Sequence, residues 1–268
     1  MARNSLKNVL RLIEEMEDNK PIEESFLADL ERSIELQDKK TSRPPSQTYK
    51  PSSMNCIRNM YYQVIGAPQD DGENPYTIVG ICNSGSDIHQ RIQQAVLDMK
   101  SNGMDCEYVN VADFVRNRNL EHLEIVQEPD FEKGEYETKL YDKELNISFL
   151  CDGIICYKDK YYILELKTES TTKFIERKGV DPKHYNQGIT YSMEFGIPNV
   201  IFIYINRDVL NMKSFMFTPT DDQKNEIKAR IEFCNECVEQ NRTPEKPENA
   251  GPRLCNYCNY RTLCRQEE

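Results

Sequence analysis

The sequence contains no tryptophan, only three histidines and no long apolar run. A helix that spans a bilayer needs about 20 consecutive apolar residues, so no transmembrane segment is predicted. The first residues, MARNSLKNVLRLIEEMED, lack the apolar core and cleavage site of a signal peptide, and their early acidic residues disfavour a transit peptide. We therefore expect a cytoplasmic location.

An excess of positive charge is also lacking. The 268 residues carry a formal net charge of −11, which tells against a protein that coats nucleic acid through its overall field. The charge is compatible with an enzyme that has a locally basic groove. Ten cysteines are present, and because cytoplasmic thiols are kept reduced, they indicate metal binding and not a disulfide framework.

Prolines and apolar spacing divide the chain. Residues 5–38 predict two helices broken near Pro21, because their apolar residues recur at helical spacing. We expect a helical extension over 1–40, a proline-containing linker over 41–53 and a main domain over 54–268.

The main domain is predicted to mix helices and strands. A helix starts near Ser53 and a second covers 85–100; strands follow near 123–126, 136–141, 147–157 and 161–166, then a helix over 182–195, a buried strand over 200–205, an edge strand over 214–217 and a helix over 221–238. Lys158-Asp159-Lys160 predicts a hairpin turn. This order predicts an α/β or α+β fold with a central mixed sheet flanked by helices.

The segment FLCDGIICYKDKYYILELKTES places Asp152 on one predicted strand and Glu165 and Lys167 on the next. Glu165 and Lys167 are two residues apart and therefore share a face. Two converging carboxylates suit Mg²⁺ or Mn²⁺, and a neighbouring lysine can orient or deprotonate a water and stabilise charge on a phosphate. The alternative is a solvated strand face with Asp152 in a turn. The apolar residues around Glu165 indicate an interior strand, where a charge needs a partner.

This pattern resembles the PD-(D/E)XK nucleases, in which Asp, Glu and Lys fill these positions, although Cys151 stands where the motif has proline. Two flanking motifs resemble the RecB-like branch of that superfamily. Gly85-Ser-Asp-Ile-His89 is similar to its G-x-x-x-H helix, and Gln187-Gly-Ile-Thr-Tyr191 is similar to its Q-x-x-x-Y helix. The resemblance covers roughly 52–264 and implies a PD-(D/E)XK core.

The resemblance also implies roles for individual residues. The implied catalytic residues are Asp152, Glu165, Lys167, Gln187 and Tyr191. The implied metal ligands are His89, Asp152, Glu165 and the backbone carbonyl of Leu166, and an imidazole in the site favours Mn²⁺ over Mg²⁺. Glu128 is a candidate for a further family glutamate. The alternatives are that His89 is an ordinary polar helix residue and that Gln187 and Tyr191 belong to an ordinary amphipathic helix.

The C-terminal region RLCNYCNYRTLCRQ contains Cys255, Cys258 and Cys264 in a C-x(2)-C-x(5)-C pattern. Three thiolates need a fourth ligand, and the resemblance selects Cys56. Iron-sulfur members of the RecB-like group, among them the CRISPR-associated "Cas-four" exonucleases and AddB-type nuclease domains, have one cysteine before the core and three after it. The resemblance therefore implies a 4Fe-4S cluster, with zinc as the alternative because a Cys₄ set also suits zinc. Cys234 and Cys237 are the rival ligand pair.

The implied function is that of a metal-dependent DNA nuclease, an exonuclease that acts on single-stranded ends in recombination, repair or end processing. Possible DNA contacts are Arg58, Tyr191 and Arg261, the alternative being a solvated surface. A second hypothesis is a catalytically minor DNA-binding or partner subunit of a helicase, recombinase or integration complex. A third is a zinc-stapled interaction protein. No G-x(4)-G-K-[ST] motif occurs, so unwinding would need a partner. A phage-encoded chain would act in the host cytoplasm.

Overall fold

The computed structural model describes residues 21–41, 46–70, 74–247, 251–256 and 258–267. The chain divides into two compact units, one made of Met1–Pro44 with Asp71–Asn83 and the other of Pro45–Asp70 with Ser84–Glu268. Among the described residues, no helix is both long enough and apolar enough to cross a membrane.

The first unit contains helix α1, Ile22–Thr41. This helix confirms the second of the two helices predicted over 5–38. The acidic residues Glu23 and Glu24 in its first turn stabilise it, because negative charge interacts favourably with the N-terminal end of the helix dipole. The helix predicted before Pro21 lies outside the described residues. Part of a second helix, from Tyr76 to Asn83, also belongs to this unit, a grouping that the sequence did not predict.

The second unit holds every strand found among the described residues. Its helices are α2 (Ile57–Val64), α3 (Tyr76–Leu97, from Ser84 onward), α4 (Val111–Asn117), α5 (Thr171–Glu176), α6 (Tyr185–Phe195), α7 (Asp221–Glu239), α8 (Pro252–Cys255) and α9 (Arg261–Gln266). Its strands are β1 (Cys106–Val109), β2 (Leu123–Gln127), β3 (Thr138–Asp142), β4 (Ile147–Cys151), β5 (Gly153–Tyr157), β6 (Lys160–Glu169), β7 (Val200–Asn206) and β8 (Met212–Phe217). Short 3₁₀ helices cover Pro51–Ser53, Phe131–Lys133 and Pro182–His184.

The central sheet has five strands in the order β1-β5-β6-β7-β8. Strands β6 and β7 are parallel, and the other neighbours are antiparallel, so the sheet is mixed. The predicted mixed sheet, the interior position of the strand that carries Glu165 and the edge position of β8 are confirmed. The predicted hairpin joins β5 to β6, and positive φ angles at Lys158 (51°) and Asp159 (60°) give its tight turn the twist that suits two antiparallel strands.

Each face of this sheet has its own apolar core. Ile154, Ile163 and Phe202 point to a large core that also contains residues of α2, α6 and α7. Leu164 and Leu166, which alternate with them along β6, point to a smaller core with Ile88 of α3. Helices therefore cover both faces, as predicted for this class of fold. A second, antiparallel sheet, β2-β3-β4, adds Leu140 and Phe149 to the large core.

Three predicted boundaries were wrong. The strand predicted over 147–157 is two strands, and they belong to different sheets because the chain leaves the ladder at Asp152. The helix predicted from Ser53 begins at Ile57, since Pro51–Ser53 forms a separate 3₁₀ turn and Cys56 has extended backbone at the N-cap. The helix predicted over 85–100 begins at Tyr76 and ends at Leu97. Strand β1 and helices α4 and α5 were not predicted.

Helix α6 carries a buried acid beside Asp142 of the second sheet. This acid, Glu194, is 2 % exposed, and its Oε2 lies 3.4 Å from His122 Nε2. Burial and the neighbouring Asp142 raise the pKa of Glu194 to about 9, opposed by Lys228. Glu194 therefore carries a proton at neutral pH in the folded chain but not in the unfolded chain.

We expect Glu194→Gln to become more stable relative to the parent as pH rises. The folded parent keeps a proton that the unfolded parent loses above about pH 4.5, so its free energy of unfolding falls by up to about 1.4 kcal/mol per pH unit until the pH nears 9. Gln cannot ionise and avoids this loss. Urea titrations at pH 5, 6.5 and 8 measure the difference. Glu232→Gln, on the exposed side of α7, controls for net charge, and an equal trend in both variants would contradict the assignment.

Candidate functional site

Asp152 lies at the break between β4 and β5, and its backbone and side chain are both anchored. Its carbonyl accepts hydrogen bonds from Gln93 Nε2 (2.7 Å) and Tyr108 Oη (2.9 Å), and its Oδ2 accepts one from the Leu166 backbone N–H (2.7 Å). A Cβ on the next residue, Gly153, would come within 2.8 Å of the Tyr108 ring. Glycine therefore suits position 153, because a side chain there would displace Tyr108, one of the donors to the Asp152 carbonyl.

Three potential metal ligands meet around this carboxylate. One ligand atom each from His89, Glu137 and Asp152 lies within 4.8 Å of the other two, and His89 Nδ1 is 3.4 Å from Asp152 Oδ1. The helix that carries His89 approaches β6 closely, because a Cβ on Gly85 would lie 3.2 Å from Thr168 Oγ1. This approach explains why a glycine one turn before the histidine suits the site.

Glu165 completes the acidic group on β6. It is 1 % exposed, and its Oε2 is buried without a hydrogen-bond partner among the described residues. A buried carboxylate oxygen in that state is costly, and a cation would supply the missing partner. Carboxylate oxygens with one imidazole are ligands suited to Mn²⁺ or Mg²⁺. The residues present therefore fit a divalent cation, and we call His89, Glu137, Asp152 and Glu165 the acidic centre.

The titration behaviour of the acidic centre agrees with this fit. Burial raises the pKa of Glu165 to about 8, opposed by Lys167, and burial together with Asp152 raises the pKa of Glu137 to about 7. Burial acts against Asp152 as well, but the hydrogen bond with His89 lowers its pKa overall. Carboxyl groups that hold protons at neutral pH are groups from which a cation can displace those protons.

Lys167 is held beside the acidic centre by two contacts. Its Nζ is 2.5 Å from Glu165 Oε1 and 2.9 Å from Gln187 Oε1. Gln187 in turn donates to Tyr191 Oη (2.9 Å), which donates to the Leu150 carbonyl (2.6 Å). The Q-x-x-x-Y helix thus positions the lysine.

This chain of hydrogen bonds corrects one expectation. Tyr191 is 2 % exposed and its hydroxyl is engaged by Leu150, so it is not the surface contact residue that was expected. Its place is behind Gln187, as a positioning residue. The structure brings the Leu166 backbone to Asp152 through its N–H; ligation by the Leu166 carbonyl stays a prediction.

Sequence reasoning chose the wrong additional glutamate. Glu128 is exposed and pairs with Arg116 on the surface. Glu137 occupies the site because β3 and β4 pair in a register of Thr138 with Cys151, and one further step along that register puts Glu137 opposite Asp152. The strand predicted over 136–141 and the strand predicted from 147 follow one another closely, and pairing them as a hairpin could have identified Glu137.

The four selected cysteines line one cavity of about 520 Å³. Burial raises the pKa of Cys56, and the nearby thiols of Cys264 and Cys255 add to the rise; burial, Cys56 and Cys264 do the same for Cys258. Two donors reach the sulfur atoms: Arg58 Nη1 lies 3.4 Å from Cys264 Sγ and Asn59 Nδ2 lies 3.6 Å from Cys258 Sγ. The structure therefore brings together thiols from opposite ends of the domain.

The rival pair lies elsewhere. Cys234 and Cys237 are 0 % exposed, beside Tyr49 in the large apolar core, and neither lines the cavity. None of the ten cysteines, all of which are described, forms a disulfide. Among the described residues no three cysteine sulfurs lie within 4.8 Å of one another.

The cavity is basic in an acidic protein. Its lining contains six basic side chains and no acidic one: Arg58, Lys167, Lys183, Lys246, Arg261 and Arg265. Lys167 and Gln187 also belong to the lining, so the cavity extends from Lys167 to the cysteines. Arg58 is partly engaged by the Pro244 and Cys264 carbonyls, whereas the Nε of Arg261 is buried without a partner among the described residues. Concentrated positive charge of this kind attracts anions.

Comparison with known proteins gives a distant likeness. No family model and no curated protein matches the chain. Among solved structures, the crystal structure of SSO0001 aligns with a TM-score of 0.45 and 15 % identity over 89 % of this chain and 96 % of that chain. LHK-Exo in complex with dAMP gives 0.38 and 11 % over 73 % and 89 %, and the alkaline exonuclease LHK-Exo from Laribacter hongkongensis gives 0.37 and 12 % over 74 % and 90 %. Likenesses this distant do not assign a function, which rests on the residues of the site.

Glu137 provides a test of the acidic centre. We expect Mn²⁺ to raise the thermal unfolding temperature of the parent, because a ligand that binds the folded chain stabilises it. Glu137→Gln should weaken the apparent Mn²⁺ affinity by at least about tenfold, since changes beyond the direct ligands already cost about 10- to 100-fold. Glu128→Gln is the matched control and should behave like the parent. Equal Mn²⁺ responses in the two variants would remove Glu137 from the metal ligands.

Proposed function

We propose that this chain is a divalent-metal-dependent DNA nuclease of the RecB-like PD-(D/E)XK type. The observation that carries the proposal is the convergence of Asp152, Glu165 and Lys167 with His89 and Glu137, where Lys167 also lines a basic cavity. Carboxylates that fit a cation, a lysine held in place and a lining suited to phosphates together match phosphodiester hydrolysis.

Each residue of the site has a task in this proposal. His89, Glu137, Asp152 and Glu165 hold Mn²⁺ or Mg²⁺. Such an ion, when bound, makes a water more acidic and draws electrons from the phosphate. Water attacks phosphorus and loses one proton to solvent water, the bond from phosphorus to the leaving oxygen breaks with its electron pair going to that oxygen, and the oxygen takes up one proton from solvent water.

Lys167 serves as a cation and not as the base. Burial opposes its charged form, but Glu165 and Asp152 raise the pKa of Lys167 above its ordinary value, so it stays an ammonium. In that form it stabilises negative charge on the phosphate. Gln187, fixed by Tyr191, keeps the ammonium pointed at the reacting group.

A single strand with a free end is the substrate that we favour. A cavity of about 520 Å³ is the size of a small-molecule site, for which about 300–1,000 Å³ is usual, so it suits a few nucleotides of one strand better than a duplex. Hydrolysis at a strand end serves recombination, repair or end processing. A helicase, recombinase or integration partner would supply unwound DNA.

The cysteine cavity is proposed to hold a 4Fe-4S cluster on Cys56, Cys255, Cys258 and Cys264. The convergence of these thiols on one cavity supports a shared metal group, and the resemblance to iron-sulfur nucleases favours a cluster over zinc, which four thiolates also suit. The cluster would join the start of the domain to its end. Closing so long a loop is worth on the order of 4 to 5 kcal/mol, so we assign it a stabilising task and not electron transfer.

Substitutions of single residues in the site test the proposed nuclease activity. We expect Asp152→Asn and Glu165→Gln to lower cleavage of end-labelled single-stranded DNA in Mn²⁺ by at least about a hundredfold, and Lys167→Ala to do the same, because each removes a group of the reacting site. His89→Ala should lose activity mainly at low Mn²⁺ and regain part of it with excess metal.

The comparison variant is Glu128→Gln, which should cleave like the parent. Parent-like cleavage in Asp152→Asn would refute the assigned site. A parent chain that binds the DNA without cleaving it in Mn²⁺ or Mg²⁺ would instead support the second hypothesis, a DNA-binding or partner subunit.

Removal of single cysteines tests the cluster. After anaerobic purification, we expect Cys56→Ala to lose the brown chromophore, the iron and the acid-labile sulfide as completely as Cys258→Ala, and both to unfold at a lower temperature. Cys234→Ala and Cys237→Ala, in the apolar core, should keep iron near the parent value. Zinc in place of iron would refute the cluster but keep the closure, and iron retained in Cys56→Ala would refute the closure.

A further inference from the structure

His184 is a cavity residue to which no role has been given so far. It ends the 3₁₀ helix Pro182–His184, three residues before Gln187, and its ring lines the cavity with Lys167 and Gln187. On the core side its Nδ1 is 2.9 Å from Tyr204 Oη. The ring therefore lies between the buried end of β7 and the space in which a substrate would bind.

The Tyr204 hydroxyl offers its proton to the imidazole, because its oxygen is already used as an acceptor and its O–H lies within hydrogen-bond distance of His184 Nδ1. Its oxygen already accepts the backbone N–H of Asp181 at 2.9 Å. Burial raises the pKa of Tyr204 to about 12, so the hydroxyl keeps its proton and can donate it to His184 Nδ1. A neutral imidazole has one protonated nitrogen, and an accepting Nδ1 leaves the proton on Nε2, the ring nitrogen turned away from Tyr204.

The surrounding charges keep this ring neutral. Lys167 on β6, Lys183 in the 3₁₀ turn and Arg177, whose guanidinium lies 4.3 Å from the Tyr204 ring centre, are all positive, and Asp181 opposes them. Burial and these cations lower the pKa of His184 to about 3. The Nε2–H is thus an uncharged donor throughout the pH range in which the chain would act.

We propose that His184 Nε2–H donates a hydrogen bond to a phosphate oxygen of the strand bound in the cavity, adjacent to the phosphate that Lys167 contacts. This inference rests on the proposed nuclease function and adds a substrate-binding residue to it. Tyr204 acts through His184 as a positioning residue, because its hydroxyl selects the tautomer that donates toward the cavity. The lysines attract any phosphate, whereas a fixed neutral donor also fixes the position of the oxygen it binds.

Three substitutions at His184 separate this role from packing. Gln places its amide nitrogen near the position of Nε2, Asn places its amide nitrogen near Nδ1, and Phe keeps the ring beside Phe202 and Tyr204 without either nitrogen. The measured quantity is the Kd of a fluorescein-labelled single-stranded DNA oligonucleotide in EDTA, together with KM and kcat in Mn²⁺. A hydrogen bond to a charged group is worth about a ten- to hundredfold change in affinity.

We expect His184→Phe and His184→Asn to raise Kd and KM by about ten- to a hundredfold, and His184→Gln to stay within about threefold of the parent. The ratio of variant to parent should be constant from pH 6 to 8.5, because the donor is neutral. Tyr204→Phe should raise Kd severalfold, and adding it to His184→Phe should have no further effect, since both changes remove the same contact. Unfolding temperatures of all variants accompany these values.

Several outcomes would overturn the role of His184. Parent-like binding by folded His184→Phe would reduce the residue to packing, rescue by Asn but not by Gln would assign the contact to Nδ1, and a loss confined to low pH would make it a cation. A parent chain that binds the oligonucleotide but never cleaves it refutes the nuclease and leaves these comparisons valid. If the parent chain cleaves DNA and His184→Phe has the same Kd, KM and kcat, only the role of His184 is refuted. If the parent chain has no affinity for the oligonucleotide, the role of His184 is refuted outright.

Discussion

The position of Asp152 is the constraint on which the rest of the structure depends. Its carbonyl is taken by side chains of Gln93 and Tyr108 and its carboxylate by the Leu166 N–H, so this residue cannot continue the ladder from β4 into β5. The chain therefore passes from the small sheet to the large one at this point. Both sheets end beside the same carboxylate, and that junction brings Glu137 from one side and Glu165 from the other.

The junction between the two sheets places acidic side chains in a buried environment. Burying an ionised group costs on the order of several kcal/mol unless partners compensate it. His89 and Leu166 compensate Asp152, and Lys167 compensates one oxygen of Glu165, but the other oxygen is left without a partner among the described residues. A buried carboxylate oxygen without a hydrogen-bond partner lowers stability, but it can bind a cation. The functional proposal therefore rests on the site and not on the fold.

Charge is separated within the chain. A net charge of −11 coexists with a cavity lined by cations and no acid, so binding of an anion would be local and directed. Burial and the cations around it keep His184, another lining residue, uncharged. The cavity is lined by Lys167 and by the four cysteines, so groups distant in sequence border the same space.

The sequence by itself determined the features that depend on local periodicity. Alternation along 160–169 put Glu165 and Lys167 on one face of an interior strand, the turn at Lys158 and Asp159 joined it to β5, and helical spacing put Gln187 and Tyr191 one turn apart. Tertiary structure alone decided the partners of these residues. Hydrogen bonds from Gln93, Tyr108 and Leu166 broke a continuous apolar run at Asp152, the register of β3 with β4 chose Glu137 over Glu128, and burial directed Tyr191 inward. The outcomes at Asp152 and Tyr191 depend on contacts between segments far apart in the chain, which leave no periodic trace in the sequence, whereas the choice of Glu137 depends on the register between two neighbouring strands.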